Sequence, residues 1–281
     1  MPSIKILSWN IEHFKMGKTA EVAQIIQGDQ PDVFALYEVE AAPIYQFMID
    51  NFPNHSVFIT EGQQSQEILV ACRNTYEGIK FQQKKAFRSG NPRLRPGAFL
   101  SFRYPRKGFY NFLFLHTDSG TGAVDFGNRN EMFEHGFNLK RVLDDVTGEE
   151  TNFMILGDLN TMGLKYPRQW MAHQIARTGE EVAFIDYESQ RKGRRERVPN
   201  MRRLTKPEGT HFSTRYGISD LDHFIASAHL AFKEQQSTGE LFPHEVLLQG
   251  WRDFPEGSAD REQYADDISD HCLLFCELKV D

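Results

Sequence analysis

Cysteine is scarce, with three residues in 281. No pair of them has the spacing of zinc ligands, which excludes a thiolate-based metal site. Cys272 and Cys276 would lie far apart along one face of a strand, beyond the reach of a disulfide. Cys72 reads as a buried thiol. The sequence also lacks a basic-then-apolar leader, and no apolar run approaches membrane-spanning length. These absences lead to an expectation of a cytoplasmic protein with no stable membrane association. Positive charge is in deficit, at a net −7, which argues against wholesale coating of nucleic acid. No obvious apolar hairpin, sequence repeat, long linker or low-complexity tract is present, and no appended domain suggests an obligate protein partner. One domain over 1–281 is therefore the simplest organisation.

What is present is ordinary for a globular chain: 40% hydrophobic and 25% charged residues. Phe is abundant, at 23 residues, which suits a thick β-rich core. Short apolar runs alternate with polar punctuation. Ile4 to Trp9, a helix from Thr19 to Gln27 and Val33 to Leu36 form a strand–helix–strand unit. Ala42 to Phe52 reads as helical. Strands follow at Val57–Thr60, Ile68–Arg73, Ile79–Phe87, Ala98–Arg103 and Tyr110–His116. A polar helix over Asn128–Asp145 leads to the strand at Phe153, and Gln169 to Arg177 reads as a further helix. Val182–Ile185 reads as a weak strand. Thr210–Thr214, Asp222–Ala226, Glu245–Leu248 and Cys272–Val280 close the chain. The pattern predicts two sheets packed face to face with helices outside.

The chemistry gathers at strand ends. Phe153-Met154-Ile155-Leu156 stops abruptly at Gly157-Asp158-Leu159-Asn160. In extended geometry Asp158 and Asn160 share a face. A carboxylate there can hold a water or a cation, and a carboxamide can donate to an anionic oxygen. Asn10 and Glu12 follow the first strand, and Glu38 follows the second. His116 ends Phe112-Leu113-Phe114-Leu115. Asp222 starts a strand, and Asp270-His271 immediately precedes the last one. Taken singly, each has a plain explanation: solvated carboxylates, a half-buried histidine, turn caps.

Together they carry a resemblance. Ser8-Trp9-Asn10-Ile11-Glu12, Leu36-Tyr37-Glu38, Leu115-His116, Gly157-Asp158-Leu159-Asn160, Asp220-Leu221-Asp222-His223-Phe224 and Ser269-Asp270-His271 occur in that order. The chain in this respect resembles the endonuclease/exonuclease/phosphatase superfamily of metal-dependent hydrolases. The resemblance implies a four-layer α/β sandwich, two mixed β-sheets flanked by helices, with an active site where strand ends converge. It implies Glu38 as principal metal ligand, with Asn10 and possibly Glu12 and Asp270 in or near the coordination shell. Asp158 would orient the attacking water, and Asn160 and His116 would donate to phosphate oxygens. His271 would be general base or transition-state donor, oriented by Asp222. An oxygen cluster without thiolate suits Mg²⁺ or Mn²⁺. Tyr37 stands where the family often has glutamine, and Glu12 is one methylene longer than the usual aspartate-like position.

The family's substrates include DNA, RNA tails, inositol phosphates, sphingomyelin and 5′-linked tyrosyl adducts. Arg191 to Lys206 holds eight Lys or Arg residues against Glu196 alone, whereas Asp253 to Asp270 holds seven acids against Arg261. The basic segment, with Arg194, Arg195, Arg202 and Arg203, is either a solvated loop or a phosphate-tracking surface. The second reading makes a nuclease or phosphodiesterase acting on nucleic acid the leading expectation. The alternatives are a phosphatase for a small phosphorylated molecule and a silent binding protein on the same scaffold.

Overall fold

The chain runs β1 (Ser3–Phe14), α1 (Thr19–Asp29), β2 (Val33–Val39), α2 (Ala42–Asn51), β3 (His55–Ile59), β4 (Glu67–Arg73), β5 (Glu77–Lys84), β6 (Gly97–Tyr104) and β7 (Gly108–His116). It continues through α3 (Ala123–Thr147), β8 (Asn152–Asp158), β9 (Leu164–Lys165), β10 (Gln174–Ala176), α4 (Thr178–Glu188), β11 (Met201–Arg203), β12 (His211–Ser213) and β13 (Gly217–Ser219). It ends with β14 (Asp222–Ser227), β15 (Val246–Gln249), α5 (Ala259–Asp267) and β16 (Leu273–Lys279). This is a computed structural model. It describes all residues except 1, 41, 63–65, 89, 166–173, 177, 194–197 and 281, and leaves out the side chains of 165, 174–176 and 178–180.

Two six-stranded sheets form, ordered β15-β16-β1-β2-β4-β3 and β11-β14-β8-β7-β6-β5. Each contains one parallel pair, β1 with β2 and β7 with β8, amid antiparallel neighbours. A parallel pair needs a crossover, and α1 and α3 supply the two crossovers. Each helix stops at a left-handed residue, Gln30 after α1 and Gly148 after α3. After α3 the chain is drawn back toward β8 by Asp144, whose carboxylate accepts from Thr151 N and Oγ1, each at 2.8 Å.

Alternation along the strands builds the layers. Ile4 and Ile6 of β1, Val33 and Ala35 of β2, Phe112 and Phe114 of β7, Met154 and Leu156 of β8, and Phe224 and Ala226 of β14 meet between the sheets. Their neighbours point outward. Leu7 and Trp9 pack with Val22, Ile26, Ile44 and Met48 on one flank. Leu113, Phe153 and Ile155 pack with Met132, Phe133, Phe137 and Ile185 on the other. The result is the expected four layers. The three cysteines are buried free thiols, as expected of Cys72, and Cys272 and Cys276 form no disulfide, also as expected.

Several expectations do not hold. Val182–Ile185 is not a strand; it lies inside α4, where i and i+3 share a helical face. Of the helix expected over Gln169–Arg177, residues 174–176 form a strand paired with β9, and the remainder lies outside the described residues. The expected strand over Ile79–Phe87 ends at Lys84, and Lys85–Arg88 form a 3₁₀ turn. The acidic stretch hides α5, capped by the Ser258 side chain, which accepts from Arg261 N. The basic stretch hides β11, antiparallel to β14.

Candidate active site

The same alternation carries polar residues to the end of the core between the sheets. Continuing the inward positions of β1 past Ile6 gives Ser8 and Asn10. Continuing β7, β8 and β14 gives His116, Asp158 and Asp222. The registers set those three side by side, with His116 opposite Asp158 and Asp158 opposite Asp222. All three are buried, as is Asn10.

Glu38 reaches this row by a different route. Tyr37 is inward, so regular pleating would send Glu38 toward the helices. Its φ of +61° breaks the alternation. Its Oε1 then lies 3.3 Å from Asn10 Nδ2 and 3.7 Å from His116 Nε2. Glu12, His13 and Asn160 also have positive φ, at +33°, +51° and +45°. Left-handed backbone at non-glycine residues costs on the order of 1–3 kcal/mol each, and such strain clusters at functional sites. Gly157 has φ of +137°, and a Cβ there would stand 2.0 Å from the Leu115 carbonyl oxygen. Only glycine fits.

The hydrogen bonds link these groups into one network. Asn10 Nδ2 donates to Asp158 Oδ2 at 2.9 Å as well as to Glu38. Its Oδ1 accepts from Glu12 N, so Asn10 presents its NH₂ group to the two carboxylates. Glu38 Oε2 accepts from His13 N at 3.0 Å and Gln66 Nε2 at 3.2 Å. Asp158 Oδ1 accepts from Asn160 N at 3.0 Å. The Asn160 side chain is tied to the Thr117 carbonyl at 3.1 Å. Asp222 Oδ2 sits 2.8 Å from His271 Nδ1. His271 Nε2 looks toward Asp158 Oδ2 at 3.9 Å and Asp270 Oδ1 at 3.8 Å. Ser269 Oγ donates to the Asn10 carbonyl at 2.6 Å and accepts from His271 N. That hydroxyl therefore fastens the end of β1 to the start of β16.

The electrostatics separate the two histidines. Burial opposes charge on His271, but Asp222, Asp158 and Asp270 outweigh it and push its pKa up to about 10. His116 goes the other way. Burial first, then Arg95 and His271, hold it well below the ordinary histidine range. Burial pushes Asp158 up to about 6, with Asp222 adding and His271 opposing. Burial raises Glu12 too, reinforced by Asp270 and Glu38.

The site thus carries more carboxylate charge than its own cations offset. Asp270 Oδ1 is buried with no hydrogen-bond partner. That chemistry fits a hard divalent cation held by oxygen. Glu38, Glu12, Asp158 and Asp270 are the carboxylates available to it. Two tighter groups also have metal-ligand proximity, Asp158–Asp222–His271 and His211–Asp270–His271, and Glu38 belongs to neither.

The model for the Endonuclease/Exonuclease/phosphatase family matches residues 7–271. The chain belongs to that family. Its site is accordingly that of a family hydrolase of phosphoester bonds. No curated protein sequence matches the chain. Solved structures agree on the fold. Truncated TDP2 of Caenorhabditis elegans is 17% identical with a TM-score of 0.64, over 98% of this chain and 97% of that one. The human Nocturnin catalytic domain with bound sulfate is 15% identical with a TM-score of 0.65, over 100% and 94%. The 3′ phosphatase NExo from Neisseria bound to product DNA hairpin is 14% identical with a TM-score of 0.57, over 98% and 99%.

The family resemblance did not supply some members of the network. Tyr37 is fully buried; it accepts from Ser8 Oγ at 3.1 Å and donates to the Leu156 carbonyl at 3.3 Å. It thereby bridges the two sheets directly beneath the site. Arg95 braces Gln66 through its backbone carbonyl at 3.2 Å and its side-chain oxygen, and Gln66 in turn contacts Glu38. Thr210 Oγ1 accepts from Leu221 N and Asp222 N, each at 3.0 Å, fixing the start of β14. Of the basic segment, Arg202 pairs in bidentate fashion with Glu245, and Arg203 with Asp186. Arg194 and Arg195 lie outside the described residues.

Proposed function

We propose that this protein is a phosphodiesterase that hydrolyses nucleic acid, dependent on Mg²⁺ or Mn²⁺. The observation that carries the reading is the meeting of Glu38, Asn10, His116, Asp158, Asp222 and His271 at one end of the core between the sheets. Glu38 would be the principal metal ligand, with Asn10, Glu12 and Asp270 beside it. When bound, the cation would supply Lewis-acid charge against a non-bridging phosphate oxygen.

The protein's own groups divide the remaining work. Asp158 orients the attacking water by accepting from it. His271 donates from Nε2 to a phosphate oxygen as charge builds there, and Asp222 holds Nδ1 so that the ring keeps that orientation. His116 and Asn160 line the same oxygen position. The NExo structure holds a DNA hairpin product, and a zebrafish TDP2 structure holds single-stranded DNA product. Those two proteins support nucleic acid as the substrate class here.

One observation favours a small phosphorylated molecule instead. Arg202 and Arg203 are already neutralised by Glu245 and Asp186, so two of the four arginines expected to track phosphates have carboxylate partners. A substrate panel separates the readings. Protein supplied with Mg²⁺ is incubated with abasic, single-stranded and duplex DNA, RNA, inositol phosphates and a generic phosphodiester. Cleavage of a polymer far above the generic ester supports the nuclease. Turnover confined to inositol phosphates overturns it.

A further inference from the structure

One imidazole without a part in that reading stands against the Asp222–His271 pair. His211 opens β12, and its Nε2 lies 3.1 Å from Asp270 Oδ2. Its ring meets the His271 ring edge-on, with centroids 4.8 Å apart. His271 Nε2 in turn lies 3.8 Å from Asp270 Oδ1. One ligand atom from each residue lies within 4.8 Å of the other two.

A tetrahedral ion about 2.0–2.1 Å from its ligands sets neighbouring ligand atoms roughly 3.3 Å apart. The three ligand atoms, each within 4.8 Å of the others, lie near enough to draw in to that spacing around an ion. Two imidazole nitrogens and one carboxylate oxygen, with a fourth position open, make a zinc-type ligand set. Magnesium takes oxygen and water instead. A metal-bound imidazole also needs its second nitrogen held, and Asp222 holds His271 Nδ1 at 2.8 Å.

The backbone fixes the set in place. His211 and His271 face each other across an antiparallel bridge. Phe212 N donates to the Asp270 carbonyl at 2.8 Å, and Cys272 N donates to the Thr210 carbonyl at 2.6 Å. The ligands therefore sit on neighbouring ladder positions. The side chains of His211 and Asp270 retain 18% and 23% exposure, so an ion can arrive from solvent.

We infer that His211, Asp270 and His271 form a site for a nitrogen-preferring transition-metal ion of the Zn²⁺ type, which shares Asp270 with the oxygen cluster at Glu38 but is centred on the two imidazoles. Binding there stands whether or not the nuclease reading holds. If that reading holds, an ion on His271 Nε2 takes the atom assigned to the phosphate and inhibits turnover.

The test is calorimetric titration of ZnCl₂ into chelator-stripped protein with Mg²⁺ in excess, alongside crystals soaked in Zn²⁺ and measured at the zinc absorption edge. One equivalent is expected, with an anomalous peak between His211 and His271. Loss of an orienting partner alone weakens metal binding about 10- to 100-fold, so loss of a ligand should cost at least tenfold. His211→Asn and His211→Gln are each expected to lose that much. Equal Zn²⁺ affinity in wild type and both folded His211 variants overturns the inference. So does a wild-type anomalous peak at Glu38 or at the exposed His13–Glu40 pair, whatever the variants do.

Discussion

Asp222 Oδ2 lies 2.8 Å from His271 Nδ1, although 49 positions separate the two residues in the chain. Asp222 starts β14 in one sheet, and His271 precedes β16 in the other. The pair therefore exists only when the two sheets are packed together, and it couples the site to the core.

That coupling sets the first prediction. His271→Ala removes the donor, and Asp222→Asn keeps the ring but lets it turn. Positioned acid–base groups contribute about 10²–10⁴-fold. Turnover should fall within that range for His271→Ala and by less for Asp222→Asn, with circular dichroism unchanged. A folded His271→Ala protein turning over within about twofold of wild type would remove His271 from the account.

Gly157 is the second. A Cβ there meets the Leu115 carbonyl oxygen at 2.0 Å and Tyr37 Oη at 2.8 Å, at a φ of +137°. Backbone strain and the clash together place Gly157→Ala among the severe substitutions, at about 4 kcal/mol or more. Urea unfolding measures it. A loss below about 1 kcal/mol, the centre of the general mutational distribution, would mean that the two strands do not approach this closely.

His223 gives a pH prediction. Burial, with Lys206 and Arg203 adding, lowers its pKa from 6.5 to about 4. It is 1% exposed, and its Nε2 lies 3.0 Å from Thr161 Oγ1. The folded pKa is below the unfolded one, so the unfolded chain takes up the proton first. The stability contributed is complete above about pH 6.5 and is lost as pH falls toward about 4, on the order of 3 kcal/mol. Denaturant melts of wild type and His223→Gln from pH 7.5 to 4 should converge as pH falls. Comparing the two cancels other groups that titrate in this window, Asp158 among them. Parallel curves would show that His223 is not held neutral.

The fold was largely legible because alternation is local. Phe112 and Phe114 announce the inward positions of β7, and the same count carries on to His116. Asp158 and Asp222 follow from their strands in the same way. Glu38 was legible as a strand-end acid, but its turn into the site comes from a positive φ that no alternation predicts. Gln66 was silent because it reaches Glu38 only once β2 and β4 have paired, and Arg95 because it meets Gln66 only when the second sheet packs against the first. Val182 and Ile185 misled because a four-residue apolar run fits a helix face or a strand equally well. Arg202 and Arg203 looked like a free basic surface because their partners, Glu245 and Asp186, lie 43 and 17 positions away. Tyr37 in place of the usual glutamine became intelligible only with Leu156 and Gly157 of the opposite sheet beside it.

The most direct measurement follows cleavage of labelled single-stranded DNA by purified protein after exhaustive chelation, then with Mg²⁺ restored, for wild type and Glu38→Gln. Glu38 accepts from Asn10, His13 and Gln66 and stands 3.7 Å from His116, so a change there touches the proposed cation site first. The account predicts no cleavage by chelated wild type, full recovery with Mg²⁺, and Glu38→Gln needing far more Mg²⁺ for a much lower rate. Full activity after chelation, or a Glu38→Gln protein with the wild-type Mg²⁺ dependence and rate, would contradict it.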